Sequence, residues 1–193
     1  SITTGEGGMA LTNNPKICEK MAMLRTHGIT RDSKQMSSNS DEPWYYEQVE
    51  LGFNYRMTDI HAALGISQLN RLDEFVERRN QLVKCYDEAL EYLPVKGQIV
   101  RGDTYSARHL YVIRTHKKQH RMLFEILGKE NIGVHLHYMP VHLQPYYRNL
   151  GFKEEDFPEA ESYGQEAISL PLFPSMTSKQ QNRVIDILKR ELG

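Results

Sequence analysis

The chain has 193 residues, 39% of them hydrophobic and 25% charged, with a formal net charge of −1. Those values describe an ordinary globular chain and leave no field of one sign to draw it to nucleic acid or an anionic membrane. Cys18 and Cys85 are too few for a disulfide framework and suit a reducing cytoplasm, and no apolar run approaches the ~20 residues needed to span a bilayer.

The chain opens on Ser1-Ile2-Thr3-Thr4-Gly5-Glu6-Gly7-Gly8 without an initiator Met or a signal-peptide pattern. It reads as the interior of a folded domain, so a longer parent protein is expected. Met9 to Thr12 is a short apolar run that predicts a buried strand. Asn14-Pro15 then pairs an N-cap with a proline at the first helical position. Ile17, Met21 and Leu24 follow at helical spacing, and Gly28 is a stop. Residues 30 to 50 are polar and predict a long, functional loop.

Thr58 predicts a second N-cap. The helical pattern after it is longer than globular helices usually run, so a break is expected between Asn70 and Asp73, with Pro94 and Gly97 ending the second piece. The remainder predicts a small α/β unit. A strand over His109 to Thr115 precedes a helix over Lys117 to Leu127 with Gly128 as its stop. A strand over Ile132 to Tyr138 alternates Val134, Leu136 and Tyr138 with His135 and His137. A short strand follows at Ile168 to Leu170. Thr177 and Ser178, each with Gln three residues on, open a last helix carrying Val184, Ile187, Leu188 and Leu192.

Three strings carry chemistry. Thr3-Thr4-Gly5-Glu6-Gly7-Gly8 demands unusual backbone freedom or close approach, and by composition alone reads first as a tight turn. Gly52-Phe53-Asn54-Tyr55-Arg56-Met57-Thr58-Asp59-Ile60 sets the amide of Asn54 and the guanidinium of Arg56 before a helix N-terminus. Those groups suit phosphate oxygens, or they close a turn and pair with a carboxylate. His135-Leu136-His137-Tyr138-Met139-Pro140-Val141-His142-Leu143-Gln144-Pro145-Tyr146-Tyr147 is dense in His and Tyr, side chains that bind sugars and nucleotides. Its histidines also read as satisfied structural residues, or as metal ligands through His135, His137 and His142, although no nearby acid or thiol completes a shell.

Together the three strings, in this order, resemble the DegT/DnrJ/StrS aminotransferases across essentially the whole chain. The narrower match is to members acting on UDP-linked 4-keto-6-deoxy amino sugars, as in pseudaminic-acid-type pathways. It rests on Arg25-Thr26-His27-Gly28-Ile29-Thr30-Arg31, Pro43-Trp44-Tyr45-Tyr46-Glu47 and His137-Tyr138-Met139-Pro140-Val141-His142. The resemblance implies α/β architecture: the fold type I of pyridoxal-phosphate (PLP) aminotransferases, with residues 1–92 the C-terminal part of the large domain and 93–193 a small domain with a short antiparallel sheet.

It also implies PLP as cofactor, glutamate as amino donor, a homodimer with shared active sites in the cytoplasm, and a role in surface-polysaccharide sugar synthesis. In the family a lysine holding PLP precedes the Gly-rich string. Here none of Ser1, Ile2 or Thr3 is lysine, so that residue is expected just ahead of Ser1 and no catalytic residue is assigned within this chain. Asn54 and Arg56 are the implied cofactor-binding residues, Asn54 reaching the phosphate held by the other subunit. His137, Tyr138, Met139, Pro140, Val141 and His142 are the implied substrate-binding loop. The absent lysine leaves open a non-catalytic dimerisation module of the same fold, and the histidines leave open a metal protein.

Overall fold

The computed structural model describes residues 1–38 and 40–193. It divides into two units, Ile2–Arg71 and Leu72–Gly193, with Ser1 grouped in the second.

In the first unit, α1 spans Pro15–Leu24. The Asn14 side chain accepts from the amides of Lys16 and Ile17, and Pro15 occupies the first turn where its missing N–H is no loss. A two-residue antiparallel ladder joins β1 (Ile29–Thr30) to β2 (Glu47–Gln48), and α2 spans Asp59–Leu69 behind its Thr58 cap. The strand expected over Met9 to Thr12 does not form. A strand needs a neighbour for its N–H and C=O groups, no ladder reaches these residues among those described, and Met9 and Leu11 are 78% and 87% exposed. The long loop instead contains β1 and β2, too short for periodicity to reveal.

The second unit begins with α3 (Leu72–Leu90), separated from α2 at Asn70 and Arg71 as expected. This long helix, grouped by sequence with residues 1–92, packs into the core of the C-terminal unit through Leu82, Val83, Tyr86 and Leu90. β3 (Tyr111–Arg114) and β4 (Ala167–Leu170) pair antiparallel, with Tyr111 opposite Leu170 and Arg114 opposite Ala167. Single bridges flank this ribbon, Lys96 to Arg114 on one side and His135 to Ser169 on the other.

That last bridge is all that forms of the strand expected over Ile132 to Tyr138. The Ile132 amide is taken by Leu127 O at the end of α4 (Lys117–Lys129), and the chain bends at His137. The segment therefore runs beside β4 only briefly. Gly128 lies inside α4 instead of ending it, and Asn131, at φ 55°, takes the left-handed position beyond. Asparagine tolerates that region at little expense.

After a 3₁₀ turn at Val141–Leu143 come α5 (Pro145–Arg148), α6 (Pro158–Glu166) and α7 (Ser178–Leu192). Thr177 and Gln180 close the capping box that opens α7. The apolar stripe of α7, with Leu123 and Leu127 of α4 and Ile113 and Ile168 of the ribbon, makes the core. Tyr86 and Tyr111 stack within it at 4.8 Å, and their hydroxyls donate to Pro171 O and Asp87 Oδ1. Burial raises both phenols well above the usual tyrosine range. Both cysteines are free. Among the described residues no helix is long and apolar enough to cross a membrane.

Candidate functional site

The loop that carries Asn54 is built on two interlocked glycines. Gly28 has φ 68°, and a Cβ there would overlap the Glu50 carbonyl. A Cβ on Gly52 would overlap the Gly28 amide and lie 2.7 Å from Leu24 O. With no side chain at either position, the turn after α1 and the 52–57 loop close on each other. The Phe53 amide donates to Leu24 O at 2.7 Å, Tyr55 N to Arg25 O at 2.9 Å, and His27 N to Phe53 O at 2.8 Å. Gln48 Nε2 donates to His27 O at 2.8 Å. Lys20 pairs with Glu50 on the same turn. The Phe53 and Tyr55 rings stack at 4.9 Å.

This backbone clamp leaves the side chains of Asn54 and Arg56 exposed. Neither the amide nor the guanidinium has a hydrogen bond or ion pair among the described residues. Two amide hydrogens and a guanidinium fork, held on a fixed loop and not spent on the protein, fit an oxyanion such as a phosphate. The nearby N-terminus of α2 adds less, because Asp59 in its first turn already answers the positive end of the helix.

The Gly-rich string lies along α2. Thr3 Oγ1 accepts the Gly5 amide at 3.0 Å. A Cβ on Gly65 would meet the Thr4 methyl at 3.0 Å, and one on Gly7 would meet Thr4 Oγ1 at 2.6 Å. Gly65, with no side chain, lets the helix and the string approach this closely.

The 30–50 loop is organised by one carboxylate. Glu47 accepts from Ser37 N at 2.6 Å, Ser37 Oγ at 2.8 Å, Ser38 N at 2.8 Å and Tyr45 Oη at 2.9 Å. The Ser37 amide, with the other donors, holds its pKa down at about 2. Arg31 sits over the Tyr46 ring at 6.0 Å. Trp44 is exposed.

The histidine loop belongs to the second unit. His137 Nδ1 meets Ser169 Oγ of β4 at 2.8 Å. Tyr138, Met139 and Val141 are exposed. His142 faces the other way: only 7% exposed, its Nε2 lies 2.9 Å from Glu161 Oε1 on α6. Its bond holds the Glu161 carboxyl below the usual carboxylate range. Pro140 rests against Gly164, where a Cβ would come 2.7 Å from the proline Cδ. No metal shell forms from His135, His137 and His142: among the described residues no group of three or more His, Cys, Asp or Glu could hold an ion.

The sequence strings passed over Glu161 and Gly164, and included Glu47 without a role of its own. Prolines at the first turns of α5 and α6 were the available signal for those helices. No motif marks the partners that Glu47 and Glu161 find.

The model of the DegT/DnrJ/EryC1/StrS aminotransferase family matches residues 1–189. The spore coat polysaccharide biosynthesis protein SpsC of Bacillus subtilis is 36% identical over 98% of this chain and 50% of its own. The UDP-4-amino-4,6-dideoxy-N-acetyl-beta-L-altrosamine transaminase of Campylobacter jejuni is 35% identical over 97% of this chain and 48% of its own. Among solved structures, Spr1654 of Streptococcus pneumoniae in its pyridoxamine-phosphate form superposes with a TM-score of 0.82 at 27% identity, over 95% of this chain and 45% of that one. Its PLP form gives a TM-score of 0.81. The chain spans about half the length of the curated relatives it matches.

Proposed function

Because the chain belongs to the DegT/DnrJ/EryC1/StrS aminotransferase family, we propose that it forms the cofactor-clasping loop and small domain of a PLP-dependent sugar-nucleotide aminotransferase. The amino donor is glutamate and the acceptor a UDP-linked 4-keto-6-deoxy sugar, in the cytoplasmic synthesis of bacterial surface polysaccharide. The named activity of the Campylobacter jejuni relative supports that acceptor class. The observation that carries the reading is the exposed, unspent pair of Asn54 and Arg56 on a loop fixed by Gly28 and Gly52.

PLP, when bound, supplies the electron sink through which an amino group is moved. The residues of this chain bind and orient. When PLP is bound, Asn54 would donate to a phosphate oxygen of the cofactor held by the partner subunit in a homodimer, and Arg56 would neutralise phosphate or nucleotide charge beside it. α2 exposes Ile60, Ile66 and Leu69, apolar surface for the rest of the parent protein or a second copy to cover. Tyr138, Met139 and Val141 offer the surface for the nucleotide-linked sugar, with Pro140 stiffening it, His137 at its base on Ser169 and His142 anchoring its end.

The full-length protein loaded with PLP, given isotopically labelled glutamate and a UDP-4-keto-6-deoxy sugar, is expected to yield the labelled amino sugar by mass spectrometry. Label that stays in glutamate while the keto sugar is recovered unchanged contradicts the proposal.

A further inference from the structure

The loop proposed to meet the sugar nucleotide does not hold its own shape. Its exposed side chains are Tyr138, Met139 and Val141, and the segment that carries them meets α6 at two points, Pro140 and His142. At Pro140 the attachment is steric. Gly164 has no Cβ, and the proline ring occupies the space that a Cβ would need. A ring atom cannot swing aside as the end of a flexible side chain can, so even one methyl group at 164 must displace the loop. At His142 the attachment is polar and buried. Nε2 lies 2.9 Å from Glu161 Oε1, and the imidazole meets the Phe157 ring edge-on at 4.9 Å.

Glu161 serves two segments at once. Besides His142, its Oε1 accepts the Glu155 amide at 2.8 Å. Glu155 has φ 74°, a conformation unfavourable for a residue with a side chain unless its surroundings hold it. One carboxylate oxygen thus ties the end of the histidine loop and the turn before α6 to a single point on the helix. The 3₁₀ turn beginning at Val141 is closed by Leu143 N on Pro140 O at 3.0 Å, which passes the constraint from one attachment to the other.

We propose that Glu161 and Gly164 are positioning residues: α6 sets the height and tilt of the Tyr138–Val141 segment and thereby the affinity for the nucleotide-linked sugar. This rests on the reading of that segment as the substrate-facing loop. Neither residue touches the reacting atoms, so the half of the reaction that takes the amino group from glutamate is left alone.

The test uses the full-length protein loaded with PLP, its Glu161→Ala, Glu161→Gln and Gly164→Ala variants, and a UDP-4-keto-6-deoxy sugar. Displacement of a positioned binding loop is expected to raise KM for the sugar nucleotide about tenfold in Glu161→Ala and Gly164→Ala, with single-turnover rates with glutamate within about twofold of the parent. Glu161→Gln, which keeps an oxygen for both donors, is expected to restore most of the loss. Hydrogen exchange of the 137–143 amides, read without turnover, is expected to quicken in Glu161→Ala and not in Glu161→Gln.

Unchanged KM in Gly164→Ala and Glu161→Ala overturns the proposal, as does an equal loss in both half-reactions. If Glu161→Ala does not fold, Gly164→Ala and Glu161→Gln decide alone. Calorimetric binding of the sugar nucleotide to the parent protein separates the two ideas. A parent that does not bind it sinks the substrate reading, whereas a parent that binds and variants that bind equally well sink only the positioning role.

Discussion

Every buried hydrophobic side chain described lies between Phe75 and Leu192, whereas the large apolar residues described in Ile2–Arg71 are half-buried, as Met21 and Leu24 are, or exposed, as Met9, Leu11 and Ile60 are. The second unit is held by removing apolar surface from water, a contribution of about 1.5–3 kcal/mol for each fully buried large side chain. The first is held by backbone hydrogen bonds, interlocked glycines and the Glu47 carboxylate. Such a clamp fixes a loop accurately without enclosing it, which suits side chains meant for a ligand. The contrast teaches that the two candidate loops fail differently: the Asn54 loop through its backbone, the histidine loop through α6.

Truncating the core tests the contrast most severely. Leu188→Ala is expected to lower the unfolding free energy by about 2–5 kcal/mol, while Ile60→Ala in the same chain changes it by no more than about 0.5 kcal/mol. Urea titration of both variants checks this, and equal losses would break the division. A smaller effect is expected in the first unit from Gly28→Ala, which combines a positive φ with a steric overlap. It should weaken that unit by about 1–3 kcal/mol, seen as faster exchange of the His27 and Phe53 amides. Thr177→Ala removes the cap of α7 and should lower stability by about 1 kcal/mol.

The smallest effect is local and depends on pH. Glu47 has its pKa lowered from 4.5 to about 2. A depressed carboxylate stabilises the fold above its unfolded value, so its contribution is present above pH 4.5 and fades as pH falls towards about 2. Limited proteolysis of the 37–47 loop should therefore show protection still present near pH 4, and Glu47→Gln should lose it at every pH. Protection lost at the ordinary carboxylate pKa would contradict the clamp.

What was legible in the chain followed from local chemistry. Asn14, Thr58 and Thr177 announced their helices because a capping side chain acts within three residues of itself, and the break before α3 followed from helix length. Strands read less well, because a strand exists only with a partner. Met9 to Thr12 had the right composition and no ladder, Ile132 to Tyr138 kept one bridge, and β1 and β2 had no period to display. For the candidate site, the strings marked which segments matter but not which way their side chains face. His142 stands among exposed neighbours and turned inward, because Glu161, distant in sequence, offers a half-buried carboxylate partner. The fit of Gly52 into Gly28 likewise depends on two segments that no local pattern links.

The most direct measurement is PLP affinity of the full-length protein with and without the Asn54 amide. Titration of the apoprotein with PLP, followed by cofactor absorbance, should give a Kd roughly tenfold or more higher for Asn54→Ala, since a hydrogen bond to a charged group contributes about 1.5–3 kcal/mol. A Kd indistinguishable from that of the parent protein would show that this loop does not clasp the cofactor phosphate.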